Sequence, residues 1–212
     1  MSKYVVRYKK TGDGKYVSHL DFLRTFQRAM RRAEIPLKYS SGFNPHPLLS
    51  FALPLAVGIE GECEMLETEL LHDISEDEFR DRVNASLPNV IRVINIEKIE
   101  GKNNFSEVSG AVYEVLPENM PTLEEMERFL AHDSIFMEKR TKKGVSSVDI
   151  KPDIFKIELL EKHILMTLAA GSVRNLKPTL VSDAMNTYIN GFSTGFCRYR
   201  RIAILDKNGA KM

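Results

Sequence analysis

Three capping signals of the form Ser/Thr-x-x-acid set the frame for this chain: Ser18 to Asp21, Ser75 to Glu78 and Thr122 to Glu125. In each, the side-chain oxygen can satisfy backbone donors at a helix start, and the acid three residues on suits the positive end of the helix dipole. Each signal follows a stretch that reads as strand. Tyr4, Val6 and Tyr8 alternate with Val5, Arg7 and Lys9, the period of a half-buried strand. After Thr11-Gly-Asp-Gly14, Ser18 opens a helix whose apolar face is Phe22, Leu23, Phe26, Ala29, Met30 and Ala33. That helix ends near Ile35-Pro36, and a loop from Tyr39 to Pro47 follows. Leu49 to Val57 reads as a strand, Gly58 to Gly61 as a turn and Glu62 to Leu70 as a second strand. Ser75 opens a helix to about Ala85, and the β-branched run from Val90 to Ile99 closes the unit. The order β-α-β-β-α-β is that of a ferredoxin-like unit.

A similar order follows a linker expected at Gly101 to Ser109. Ala111–Leu116 reads as strand, Thr122 to Ala131 as helix, and Ile135–Lys139, Phe155–Leu160 and His163–Ala169 as strands. Pro178 suits the first turn of a helix to Tyr188. Cys197–Leu205 would close the second unit, while Val145–Pro152 has no place in the simple pattern. The expectation is an α+β chain of tandem ferredoxin-like units over 1–100 and 110–212.

Net charge is +1, but it is unevenly spread. Residues 1–50 carry ten basic and three acidic side chains, whereas residues 60–81 carry ten acids and one base, Arg80. Cys63 and Cys197 are too few and too far apart for a disulfide framework, a zinc site or a cysteine-ligated iron–sulfur cluster, so no cofactor and no metal is expected. There is no apolar run of membrane-spanning length and no leader-like h-region, so a cytoplasmic, membrane-free location is expected.

The basic part of the first helix is the leading binding candidate. Arg24, Arg28 and Arg31 fall at i, i+4 and i+7, on one stripe, with Arg32 beside it. Guanidinium forks match phosphate oxygens. The alternatives are a solvated face, or arginines paired with the acidic 60–81 segment. The loop Tyr39-Ser-Ser-Gly-Phe-Asn-Pro-His-Pro47 is the second candidate. Its prolines restrict the backbone on both sides of His46. Tyr39 and Phe43 could stack on bases, Ser40, Ser41 and Asn44 could donate to phosphate or base edges, and His46 could contact bases, unless the loop only crosses from helix to strand. His19 sits at a helix start, where anions bind, or is simply a neighbour of the capping signal. His19 and His46 together would be the acid–base pair of a metal-independent endoribonuclease, although no spacing shows that they meet. The basic run Lys139 to Gly144 is a solvated loop or a nucleic-acid arm, and Arg198 and Arg200 share one side of the last strand.

Several of these strings together carry a family resemblance. Tyr16-Val-Ser-His-Leu-Asp21, the four arginines, Ile35-Pro-Leu-Lys-Tyr-Ser40 and Gly42-Phe-Asn-Pro-His-Pro47 leading to Ser50-Phe-Ala52 resemble the radical-SAM-linked (radical-SAM-associated) proteins, with Val148 to Pro152 a weaker landmark. The likeness covers essentially the whole chain. It implies a domain fused to or encoded beside a radical-SAM protein, in gene neighbourhoods that suggest rRNA or tRNA maturation. The tandem arrangement also resembles the RAMP-class endonucleases of CRISPR repeat RNA, an analogy of fold alone. The resulting expectation is a non-catalytic RNA-binding accessory protein acting with a radical-SAM partner. The alternatives are the endoribonuclease and a protein-binding subunit that docks through Glu60 to Asp81.

Overall fold

A computed structural model describes residues 2–101, 103–141 and 144–212, the side chains of residues 139–141 excepted. The chain is α+β and divides into two compact units, residues 1–108 and 109–212.

In the first unit the elements are β1 (Ser2–Lys10), α1 (His19–Arg32), β2 (Leu49–Phe51), β3 (Ile59–Leu70), α2 (Glu76–Ser86) and β4 (Ile91–Ile99). β1 lies between β4 and β3, β2 pairs with β3, and these pairings are all antiparallel. The β1 alternation decides what each face does. Tyr4, Val6 and Tyr8 are buried with Leu66, Leu70, Val93 and Ile96, under Phe22, Phe26, Ala29 and Met30 of α1 and Phe79 and Val83 of α2. The Tyr8 ring lies 5.1 Å from Phe26 and 5.3 Å from Phe22, and Tyr4 meets Phe79 edge-on at 5.6 Å. On the opposite face the register sets Lys3 against Glu69 and Val5 against Glu67, so cross-strand neighbours there include opposite charges.

β2 is shorter than the run Leu49 to Val57 suggested. The Ala52 N–H still donates to the Met65 carbonyl at 3.0 Å, but Pro54 has no N–H to continue the ladder. Leu53 and Leu55 are buried without being strand. Gly58, at φ 89°, makes the turn, and β3 begins at Ile59, three residues before the expected start. The 103–109 part of the expected linker is structured. It holds a 3-10 turn at Phe105–Glu107, and the Asn103 side chain donates to Glu67 at 2.6 Å.

In the second unit the elements are β5 (Val108–Pro117), α3 (Leu123–Leu130), β6 (Phe136–Thr141), β7 (Gly144–Asp149), β8 (Ile154–Leu159), β9 (Ile164–Ala169), α4 (Pro178–Tyr188) and β10 (Cys197–Asp206). Its strand order is β10-β5-β9-β8, and β6 and β7 form a separate two-stranded sheet. The sequence reads Ile135–Lys139 as a strand of the repeated unit and leaves Val145–Pro152 unassigned. Instead the two stretches pair with each other, Phe136 opposite Asp149 and Thr141 opposite Gly144. The base of this hairpin is fastened by Asp149, whose carboxylate accepts from the backbone N–H groups of Ile135 at 2.8 Å and Lys151 at 3.0 Å. Those two donors hold the Asp149 carboxyl below the usual carboxylate range.

All three capping signals hold a helix start. Ser18 and Ser75 accept from the N–H of Asp21 and Glu78, while Thr122 and Glu125 form the full reciprocal box. α1 ends differently. Glu34 is left-handed, at φ 51°, its N–H donates to the Arg31 carbonyl, and the Ile35 N–H donates to the Met30 carbonyl. This is a Schellman ending with glutamate where glycine is usual. Arg82 of α2 braces it by donating to the Glu34 carbonyl at 2.7 Å.

Candidate nucleic-acid interface

The aromatic core fixes which side of α1 faces outward. With Phe22, Phe26, Ala29 and Met30 buried, helical geometry leaves Arg24, Arg28, Arg31 and Arg32 exposed. What else could neutralise them is answered by β3. Four of its carboxylates are engaged by lysines: Glu62 with Lys9 at 2.6 Å, Glu60 with Lys15 at 3.9 Å, Glu67 with Lys3 at 3.8 Å, and Glu69 with Lys38 at 2.6 Å. The Lys38 ammonium holds the Glu69 carboxyl below its ordinary value. No ion pair joins an α1 arginine to residues 60–81 among the described residues, so the acidic segment does not explain the stripe.

The four arginines have different surroundings. Arg24 pairs with Asp21 at 3.2 Å, an exposed pair of little energetic weight. The Ser18 hydroxyl, and then Arg24 and Arg28, hold the Asp21 carboxyl below its usual range, so it stays ionised. Arg32 donates to the Ser86 carbonyl at 2.6 Å. Arg31 donates to the Tyr39 hydroxyl at 3.3 Å, with its guanidinium carbon 5.8 Å from the Tyr39 ring centre. Arg28 makes no hydrogen bond or ion pair among the described residues. It lines, with Thr25, Arg32, Ser86, Leu87 and Pro88, an open depression of about 400 Å³ between α1 and the end of α2.

The loop is braced by more than its prolines. Lys38 donates its N–H to the Glu69 carbonyl at 2.8 Å, Leu48 donates to the Lys38 carbonyl at 3.0 Å, and Tyr39 bridges to Pro47. Inside that frame the Ser40 N–H donates to the His46 carbonyl at 2.9 Å, and the His46 N–H donates to Ser40 Oγ at 3.1 Å. The chain from 38 to 48 is thus a closed hairpin-like loop with residues 41–45 at its tip. Phe43 stands there fully exposed, and Asn44 beside it is exposed too.

The histidines do not form a pair. His46 Nδ1 lies 2.9 Å from Ser40 Oγ and 3.4 Å from the Asn44 carbonyl oxygen. The His19 ring is half-buried, edge-on to Phe51 at 5.1 Å, at the margin of the aromatic core. No hydrogen bond or ring contact joins the two imidazoles among the described residues. Arg31 and Tyr39 do meet, so the helix stripe and the loop are in contact through them.

Sequence reasoning missed the part played by Ser86, Leu87 and Pro88. Their contribution is a contact between two helices, and nothing in that tripeptide announces it. The other basic candidates fare unevenly. Arg198 is exposed, but Arg200 pairs with Glu114 at 3.2 Å, and Arg201 beside it is almost wholly buried. The proposed arm at 139–144 lies largely outside the described residues. Among the described residues no group of three or more His, Cys, Asp or Glu side chains could hold a metal ion, and no helix is long and apolar enough to cross a membrane.

A family model described as an uncharacterized protein conserved in bacteria, DUF2344, matches residues 3–178. No curated protein matches. A solved structure described as "An RAMP protein binding different RNA substrates" aligns over 95% of this chain and 100% of its own, at 12% identity and a TM-score of 0.20. So remote a superposition says nothing of what this chain binds.

Proposed function

Because the chain belongs to the uncharacterized bacterial family DUF2344, its function has to be argued from its own surface, and we propose that it is an RNA-binding accessory protein. The single observation that supports this best is the sorting of charge. Lys3, Lys9, Lys15 and Lys38 pair with carboxylates of β3, whereas the α1 arginines stay outward, with no hydrogen bond or ion pair at Arg28 among the described residues. Outward cations that release counterions on meeting phosphate supply the sequence-independent part of nucleic-acid binding. Arg24, Arg28, Arg31 and Arg32 would take phosphates, and Tyr39, Ser40, Phe43, Asn44 and His46 would take sugars and bases.

The finer parts of this reading extend to architecture and partner. The orders β4-β1-β3, with β2 beside β3, and β10-β5-β9-β8 are read as two ferredoxin-like units, the second interrupted by the β6–β7 hairpin. The likeness to the radical-SAM-linked proteins adds a radical-SAM partner in the cytoplasm, to which this chain would present rRNA or tRNA. Catalysis by the chain itself is the weaker reading, because two imidazoles acting on one phosphate must both reach it. His46 is tied to Ser40, and His19 packs on Phe51.

Incubating the purified chain with labelled total RNA tests the proposal. The expected result is retention of RNA at unchanged length. Shortened RNA would replace the accessory role with an endoribonuclease. Neither retention nor cleavage would leave a protein-binding subunit.

A further inference from the structure

We infer that this surface takes an unpaired stretch of RNA and discriminates against duplex, with the Phe43 ring stacking on an exposed base. The inference rests on the RNA-binding reading above and adds the class of RNA. Three observations carry it.

The first is Phe43 itself. It is fully exposed, in a loop whose two ends are bonded to each other through Tyr39 and Pro47, Ser40 and His46, and Lys38 and Leu48. Singly exposed apolar side chains are common, but this ring is held out on a braced loop, so it loses little freedom on meeting a partner. A base face is the flat, sequence-tolerant partner such a ring fits.

The second is what lies around the ring. The contact between Arg31 and Tyr39 joins the loop to the helix, so a base on Phe43 and a phosphate on the stripe belong to one surface. The exposed Asn44 amide, which makes no side-chain hydrogen bond among the described residues, offers both donor and acceptor to a base edge.

The third observation is the mismatch between this surface and a duplex. In A-form RNA the bases are stacked on each other, the deep major groove is closed to side chains, and the shallow minor groove shows hydroxyls and edges. A single projecting phenyl ring finds no free base face there. It finds one on any unpaired nucleotide in a loop, bulge or end.

The test uses the full chain, an unstructured RNA of about 12 nucleotides, within the size that single-strand binders cover, and the same strand annealed to its complement. Affinities are read by fluorescence anisotropy for wild type, Phe43→Ala and Phe43→Tyr. The single strand should bind at least about tenfold tighter than the duplex. Phe43→Ala should weaken single-strand binding by about 5- to 150-fold, the range of one base stack, with the salt dependence unchanged. Phe43→Tyr, which keeps the ring, should stay close to wild type. Equal binding of duplex and single strand would overturn the inference and leave the RNA-binding reading standing. So would a Phe43→Ala protein with undiminished single-strand affinity, which would leave the ring without a part in RNA binding. If wild type bound neither RNA, the RNA-binding reading would itself fall and take this inference with it.

Discussion

Replacing Arg24, Arg28 and Arg31 together by alanine is expected to weaken binding to single-stranded RNA by about 100-fold at about 0.1 M monovalent salt. The figure follows from counterion release: each lost contact with a single strand removes about 0.7 from the slope of log affinity against log salt, which at that salt is about fivefold per contact. The fold should tolerate the change. All three side chains are exposed, the Arg24–Asp21 pair is open to solvent, and alanine is a better helix former than arginine. Circular dichroism and thermal midpoint should therefore stay near wild type while the binding isotherm shifts. A folded triple variant that binds within about twofold of wild type would reduce the stripe to a solvated face.

Phe26→Ala should have the largest effect on stability, about 3–5 kcal/mol, the usual cost of removing a buried phenyl ring. Phe26 has no exposed surface and is the centre of an aromatic group: Tyr8 at 5.1 Å, Phe22 at 5.3 Å and Phe51 at 6.5 Å. It therefore holds α1 against the sheet and with it the outward direction of the arginines. Since domains are stable by only about 5–15 kcal/mol, the variant should show a much lower urea midpoint. A loss below about 1 kcal/mol would mean that this cluster does not anchor α1. The two substitutions sit on opposite faces of one helix and separate its roles, because the alanine stripe removes binding without stability and Phe26→Ala removes stability first.

How much of this was legible in the sequence depended on whether a signal is local. The 3.6-residue spacing of Phe22, Phe26, Ala29 and Met30 and the cap at Ser18 are local, so α1 and its exposed arginines were readable. The strand alternation of Tyr4, Val6 and Tyr8 was readable for the same reason. The β6–β7 hairpin was not, because Gly144–Asp149 is mostly exposed and carries little apolar alternation; its register is set by Asp149 bonding at its base, which only the folded chain brings together. In the site, the unusual composition of residues 39–47 marked the loop. The identity of its braces, Ser40 with His46 and Lys38 with Glu69, depended on distant or folded-back partners. Charge counting showed two opposite clusters but not which cations the acids would take. The answer lies in β-sheet register, which sets Lys3 beside Glu69 and leaves the helix outside the ladder.

The central claim, that α1 meets RNA phosphates, is tested most directly by the salt dependence of binding for wild type and Arg28→Ala. Arg28 is the right probe because it makes no hydrogen bond or ion pair among the described residues, so its removal breaks none of those bonds. A fluorescent single-stranded RNA titrated at a series of salt concentrations gives the slope for each protein. The account predicts a slope shallower by about 0.7 in Arg28→Ala, with binding weakened on every RNA tried. A folded Arg28→Ala protein with wild-type affinity and an unchanged slope would contradict it.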